Sequence, residues 1–414
     1  MPAALVRRIV LCLVLMSPAV VFRITGFAPN PVVDLLVFGG AVVAASFLLA
    51  WAAEAAQKDI SGALAIAILA LIAVLPEYAV DLFYAFRSGS DPAYEQFAAA
   101  NMTGSNRLLL GFGWPLVVIV ALLVARRATR GTTLRAPRVL RLPADARLDI
   151  GVLAILSVVA LVIPAFGAIP IWFGAGLITV FALYLWRAGS AADEGEEEFV
   201  GTAALIAGMP TRARRATVVG MFAVAAAVIL SSAEPFAESL VAAGSSLGVD
   251  PYFLVQWLAP LASEAPEFIV AVLFALRGMG PAAIATLIAS KINQWSLLVG
   301  SLPIAHALGG GGTALPLDGR QMEEFFLTAT QTVLGVAIIL ALRFHWASAL
   351  ALAALFAVQF AVTDETGRWI LSGVHLVIAA VLLVAQRREI LPTLRAPFAR
   401  RPSVVRESVG AGAE

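Results

Sequence analysis

The sequence predicts an all-α polytopic membrane protein with about twelve transmembrane helices, arranged as two inverted five-helix repeats plus flanking helices. Three observations lead there. Of the 414 residues, 61% are hydrophobic and 13% charged, and the mean hydropathy is +0.92, outside ordinary soluble usage. Apolar stretches long enough to cross about 30 Å of hydrocarbon as helix recur along the whole chain. A Pro-Glu pair also recurs, at Pro76-Glu77 and Pro266-Glu267, with an offset of 266 − 76 = 190. The register holds through Phe83/Leu273, Ala85/Ala275 and Arg87/Arg277, as expected of a duplicated segment.

Taken in order, the first span is the short apolar run 9–22 behind Arg7 and Arg8. A signal peptide ending near Ser17-Pro18-Ala19 is the competing reading, but no convincing small-x-small cleavage site follows, and Val20, Val21 and Phe22 continue the apolar run. Eleven longer spans follow at 31–56, 61–87, 95–125, 148–166, 168–186, 216–243, 251–276, 281–307, 322–342, 345–361 and 368–385. Lipid offers no partner to an open backbone, so all twelve are expected to be helical. Cys12 is the single cysteine, excludes an intramolecular disulfide, and reads as a buried apolar residue.

Arginine sets the expected orientation. The connection 126–147 carries seven arginines, from Arg126 to Arg147, and the tail carries Arg387, Arg388, Arg395, Arg400, Arg401 and Arg406. Placing both in the cytoplasm also puts Lys58, Arg212, Arg214 and Arg215 there, leaving only Arg23, Arg87, Arg320 and Arg368 outside. The expectation is an integral, multi-pass cell-membrane protein with both termini cytoplasmic. The expected organisation is an extra N-terminal helix (1–30), a first repeat half (31–187), a charged cytoplasmic linker (188–215), a second half (216–361), an extra C-terminal helix (362–386) and a basic cytoplasmic tail (387–414). The linker holds an acidic run, Asp193, Glu194 and Glu196 to Glu198, which reads as a solvated connection.

The second helix corresponds to the seventh, five helices later, and an odd offset inverts the repeat across the membrane. Inverted repeats place substrate and coupling-ion sites near the midplane. A carboxylate at the bilayer centre costs on the order of 3 kcal/mol, so Glu77 and Glu267 at matching points indicate an ion pathway. Pro76 and Pro266 lack an N–H and are expected to free carbonyls beside these acids. Carboxylate and carbonyl oxygens suit hard cations. Asp81 shares a face with Glu77, and Glu264 shares one with Glu267, with Ser263 beside it. One helix later come Asn101-Met102-Thr103-Gly104-Ser105-Asn106 and Ser290-Lys291-Ile292-Asn293-Gln294-Trp295. The pairs Leu108/Leu297 and Gly111/Gly300 align these at an offset of 189. Small polar residues here also fit plain helix packing.

These motifs resemble the calcium/cation antiporter superfamily, the sodium/calcium exchanger membrane family, whose two repeats carry a proline-glutamate motif followed by asparagine and glycine-serine-asparagine. The likeness rests on Pro76-Glu77, Asn101, Gly104, Ser105 and Asn106, and on Ser263, Pro266 and Glu267, within roughly 51–115 and 231–303. It implies ten core helices in two inverted halves and alternating access of a central site. Leu75 and Asn293-Gln294-Trp295 depart from the family pattern.

Lys291 departs furthest, as one of two lysines against twenty-six arginines. It reads as a tethered cation, a proton-coupling group, an inactivating salt bridge or a headgroup-seeking side chain. Pairing with Asp81 or Glu77 is the expectation. The function expected from the resemblance is antiport of Ca2+ for Na+, with Na+/H+ or Ca2+/H+ exchange or a non-transporting member of the fold as alternatives. Glu77 and Glu267 are the expected metal ligands, Asn101, Ser105, Asn106, Ser263 and Asn293 the supporting ones, and Asp81, Glu264, Lys291 and Ser290 the modulating groups. Small cations and the bilayer are the expected partners, with no cofactor beyond the transported ion and no nucleic acid. No His-Glu-x-x-His or serine-centred glycine motif points to an enzyme. His306, His345 and His375 read as partly solvated groups near helix ends.

Overall fold

The computed structural model describes residues 2–59, 74–129, 137–189, 199, 201–362 and 364–399. The acidic run of the linker, the first part of the span 61–87 and the end of the basic tail lie outside them. The helices that matter here are α1 (Ala3–Thr25), α2 (Pro31–Ala56), α3 (Leu75–Ser88), α4 (Ala100–Leu108), α5 (Trp114–Ala128), α6 (Arg147–Ala160), α7 (Ile171–Gly189) and α8 (Thr211–Leu247). They continue with α9 (Pro251–Leu276), α10 (Gly280–Asn293), α11 (Val299–Leu308), α12 (Gly319–Ile339), α13 (Trp346–Ala361) and α14 (Glu365–Ala385).

Among the described residues, ten helical segments are long and apolar enough to cross a membrane. α4 with α5 and α10 with α11 each count as one of them; α13 is a shorter apolar helix at the expected span 345–361, and α3 lies in the described part of the span 61–87. The helix ends follow local chemistry. Asn30 accepts from the backbone N–H of Val32 and Val33 ahead of α2, Asp250 caps α9 with Pro251 in its first turn, and Asp318 with Gln321 forms a capping box on α12. Gly26, at φ 68°, ends α1 in a left-handed turn open to glycine.

Two short antiparallel ribbons tie the connections together. β1 (Val139–Arg141) pairs with β4 (Arg343–His345), and β2 (Ala168–Pro170) pairs with β3 (Ala314–Pro316). An even number of the expected spans separates the partners of each ribbon, six for β1 and β4 and four for β2 and β3, so each pair can meet at a common end.

The apolar core divides in two. One cluster is built from α1, α2 and α8 and takes in Tyr252, Val255 and Ala259 of α9. The other gathers α4 to α7 and α10 to α14 and takes in Phe268, Ala271 and Ala275 of the same helix. α3 is shared in the same way, giving Val80 and Tyr84 to the first cluster and Tyr78 and Ala85 to the second. The two Pro-Glu helices therefore lie along the seam.

Several side chains depart from expectation. His306 and His375 are buried rather than partly solvated, with His306 Nδ1 2.8 Å from Ser88 Oγ. His375 lies well inside α14. Arg107, on α4, is 2% exposed and pairs with Glu324 on α12 at 2.5 Å. Its Nη1 donates to Gln359 Oε1 at 3.1 Å, its guanidinium stacks over Trp257, and Arg368 reaches the same Glu324. This network was not legible in the sequence, because Arg107 looks like one more basic residue until its partners on α12, α13 and α14 are placed beside it.

Removing one partner of a buried ion pair leaves a charge without compensation, at about 3–5 kcal/mol. Glu324→Gln is expected to lower stability in detergent by that order. Glu234→Gln, at a pair whose side chains are 50% and 47% exposed, is expected to change it far less. Denaturant or thermal unfolding of the two purified variants checks this.

At one end of the bundle, Arg214 Nε and Nη2 donate to Asp59 Oδ2 and Oδ1, both at 2.7 Å. This bond, with a second from Arg215, holds the Asp59 carboxyl at about 2, below its ordinary 3.8. A depressed carboxyl contributes stability in full above its ordinary value, and the contribution is lost as pH falls through the folded value. The melting-temperature gap between native protein and Asp59→Asn is therefore expected to be widest above about pH 4 and to close toward about pH 2. Thermal melts across that window measure it.

Candidate ion site

Glu77 lies in the first turn of α3, behind Pro76, where the helix dipole favours a negative charge. Pro266 instead sits inside the continuous α9, so the two Pro-Glu motifs occupy different helical settings. Each following helix contains a π-turn, at Leu109–Gly113 between α4 and α5 and at Gln294–Leu298 between α10 and α11. Such turns loosen the backbone ladder and often mark functional sites.

Close packing brings the halves together. Pro260 cannot donate to the carbonyl of Gln256, four residues earlier, and Gly104 of α4 seats directly against that carbonyl. A Cβ at position 104 would overlap it. Without a side chain, Gly104 admits this contact. With α4 held so near α9, Asn101, Ser105 and Asn106 are fully buried beside the acids.

Glu77 and Glu264, from opposite halves, share one amide. Gln294 Nε2 donates to Glu77 Oε1 at 2.9 Å and to Glu264 Oε1 at 2.7 Å. Glu267 lies beside Glu264 and Ser290, and Asp81 faces Asn101, all short of well-formed hydrogen bonds. Both Asp81 oxygens, both polar atoms of the Asn101 amide, Ser105 Oγ, Ser290 Oγ, Glu264 Oε2, Glu267 Oε2 and Gln294 Oε1 are buried without a hydrogen-bond partner among the described residues. So many orphaned oxygens in one place are what a ligand set for a cation looks like before it closes. No group of three or more acidic, histidine or cysteine side chains converges on a single metal position among the described residues. The amide of Gln294 stands between the two acids instead.

Three expected ligands are engaged elsewhere. Ser263 Oγ donates back to Ala259 O at 3.2 Å within its own helix. Asn293 Oδ1 accepts from the Tyr78 hydroxyl at 2.9 Å. Asn106 holds Lys291, whose Nζ donates to Asn106 O at 2.9 Å and to Asn106 Oδ1 at 2.8 Å. The expected ion pair of Lys291 with Asp81 or Glu77 does not form, since Lys291 has no carboxylate within 4.0 Å among the described residues. The oxygens of Asn106 reach it first.

Gln294 is the site residue that sequence reasoning passed over. A signal was there, because the offset that aligns Leu297 with Leu108, 297 − 108 = 189, aligns Gln294 with Ser105. The residue looked like a departure from a motif rather than an equivalent of one.

The sequence profile of a family described as sodium/calcium exchanger protein matches residues 31–189 and 217–363. The crystal structure of an H+/Ca2+ exchanger, CAX, superposes with a TM-score of 0.88 at 35% identity, over 96% of this chain and 98% of that one. The Ca2+/H+ antiporter protein YfkE gives a TM-score of 0.57 at 18% identity, covering 84% of this chain and 98% of that one. The sodium-calcium exchanger NCX_Mj gives 0.53 at 16% identity, covering 81% and 99%. At those identities the last two show a common fold. No curated protein matches the chain. The chain belongs to the sodium/calcium exchanger protein family, a family of membrane transporters of cations, and the resemblance seen in its motifs holds.

Gly104→Ala must separate α4 from α9 or bend one of them, whereas a Cβ at Gly40 enters open space. Gly104→Ala is expected to lower stability by about 1–3 kcal/mol, the scale of overpacking. Gly40→Ala is expected to leave it unchanged. Thermal melts of the purified variants test the pair.

Proposed function

We propose that the chain is a secondary-active antiporter that exchanges Ca2+ for protons by alternating access. The observation that carries this reading is the set of four acids, Glu77, Asp81, Glu264 and Glu267, gathered along the seam with no arginine or lysine in ion-pair range among the described residues. Several carboxylates cannot stay ionised together in a low-dielectric interior without compensating charge. A divalent cation supplies that charge in one state and bound protons supply it in the other, so the same oxygens serve both ions in turn.

Glu77 and Glu267 are the primary calcium ligands in this scheme, with Glu264, Asp81, Asn101, Ser105 and Ser290 completing the shell. Gln294 Oε1 has no partner as placed. Turning its amide would withdraw the N–H groups from Glu77 and Glu264 and present an oxygen to the cation. The seam offers the motion, because α3 and α9 belong to both apolar clusters and one cluster can rock against the other. The likeness to a protein named as an H+/Ca2+ exchanger supports the proton as counter-ion.

Sodium is the second reading, favoured by the neutral oxygens of Asn101, Ser105 and Ser290. Against it, the Lys291 ammonium already covers both oxygens of Asn106.

Ca2+ uptake into proteoliposomes separates the two. An outward proton gradient is expected to drive uptake by the native protein, with Glu77→Gln and Glu267→Gln falling to the rate of protein-free vesicles. Uptake driven by a sodium gradient alone would transfer the conclusion to sodium, and no uptake under either gradient would overturn calcium antiport.

A further inference from the structure

Lys291 is fully buried on α10, in the half opposite to Asn106, and its only hydrogen-bond acceptors among the described residues are the Asn106 main-chain and side-chain oxygens. A carbonyl and a carboxamide oxygen on one residue are neutral hard donors, the kind that replace the water shell of a small cation. A lysine buried in this way ordinarily has a carboxylate to itself, and four carboxylates stand in the same site. Yet the ammonium takes the neutral oxygens and leaves the acids to the amide of Gln294.

We propose that the Lys291 ammonium is a built-in monovalent cation, seated in an alkali-ion position formed by Asn106 and held there by its own side chain. The four-carbon stem delivers a compact, strongly hydrated charge to a position that a free sodium ion would otherwise fill. The consequence is a site in which only the acids around Gln294 exchange ions, and in which sodium in solution has nothing to replace. This deepens the reading of the chain as a cation antiporter and rests on it.

Two substitutions at one position separate charge from volume. Lys291→Ala removes the charge and opens the space beside Asn106, whereas Lys291→Met removes the charge and fills the space. Melting temperatures are measured without Ca2+ in sodium chloride, in potassium chloride and in N-methylglucamine chloride. Lys291→Ala is expected to show a saturable rise with sodium of roughly 2–4 °C, while the native protein and Lys291→Met show none. Recovery of folded Lys291→Ala from sodium buffer but not from N-methylglucamine buffer counts the same way. Equal behaviour of Lys291→Ala in all three salts, including equal failure to fold, overturns the proposal, as does an equal sodium response in Lys291→Met. These melts need no transport, so they remain readable if proton-driven uptake fails, and that uptake assay on native protein is unaffected by their outcome.

Discussion

Four carboxylates along one seam, three of them buried and that of Glu267 half-buried, set the terms for the rest of the structure. Ionised together in a low-dielectric interior they repel one another and lose their hydration, so the protein must surround them with dipoles and admit positive charge. It answers with the amide of Gln294 between Glu77 and Glu264 and with neutral groups, Ser105 beside Glu77, Asn101 beside Asp81 and Ser290 beside Glu267. The arginines that could neutralise the acids outright are placed elsewhere. Arg107 is spent on Glu324, and Arg214 on Asp59. The four acids are thereby left with no arginine or lysine in ion-pair range among the described residues.

Holding helices close enough for this requires an unusual surface. Gly104 against the carbonyl of Gln256 lets α4 approach α9 at backbone distance, and Pro260 makes that carbonyl available by removing its helical donor. The π-turns that follow Asn106 and Asn293 belong to the same economy of backbone groups, since each relaxes the ladder next to the acids. One substitution at a contact of this kind moves a whole helix, whereas the lipid-facing surface tolerates exchange among apolar residues.

The two halves are related but not equivalent. Glu77 begins a helix and Glu267 lies within one. Tyr78 has a hydroxyl that reaches Asn293, while its repeat partner Phe268 has none and packs on Phe112. Asp81 and Glu264 lie on opposite sides of the repeated glutamates along the chain, and their repeat partners, at an offset of 190, are Ala271 and Val74. Met102 of the first half corresponds, at 189, to Lys291 of the second. Duplication supplied the frame, and divergence placed an amide in one half and a lysine in the other.

The sequence alone determined the class, the recurrence of the Pro-Glu motif and the family. Each of these depends on local or repeated features: hydropathy over a window of helix length, an offset of 190, a short run of polar residues in an apolar stretch. Of the residues expected together, Glu77, Asp81, Glu264, Glu267, Asn101, Ser105 and Ser290 lie near one another, whereas Ser263, Asn293, Asn106 and Lys291 engage other partners. What the tertiary structure decided is which atom faces which. Lys291 was expected on an acid and rests on Asn106, Ser263 turned back into its own helix, Gln294 became central though only its repeat alignment with Ser105 marked it, and Arg107 did so with no signal at all. Side-chain partners across helices are fixed by axial register and rotation, and those are set by contacts such as Gly104 on Gln256 that join residues far apart in the chain. Hydropathy determines that a helix is buried, and only packing determines toward what it turns.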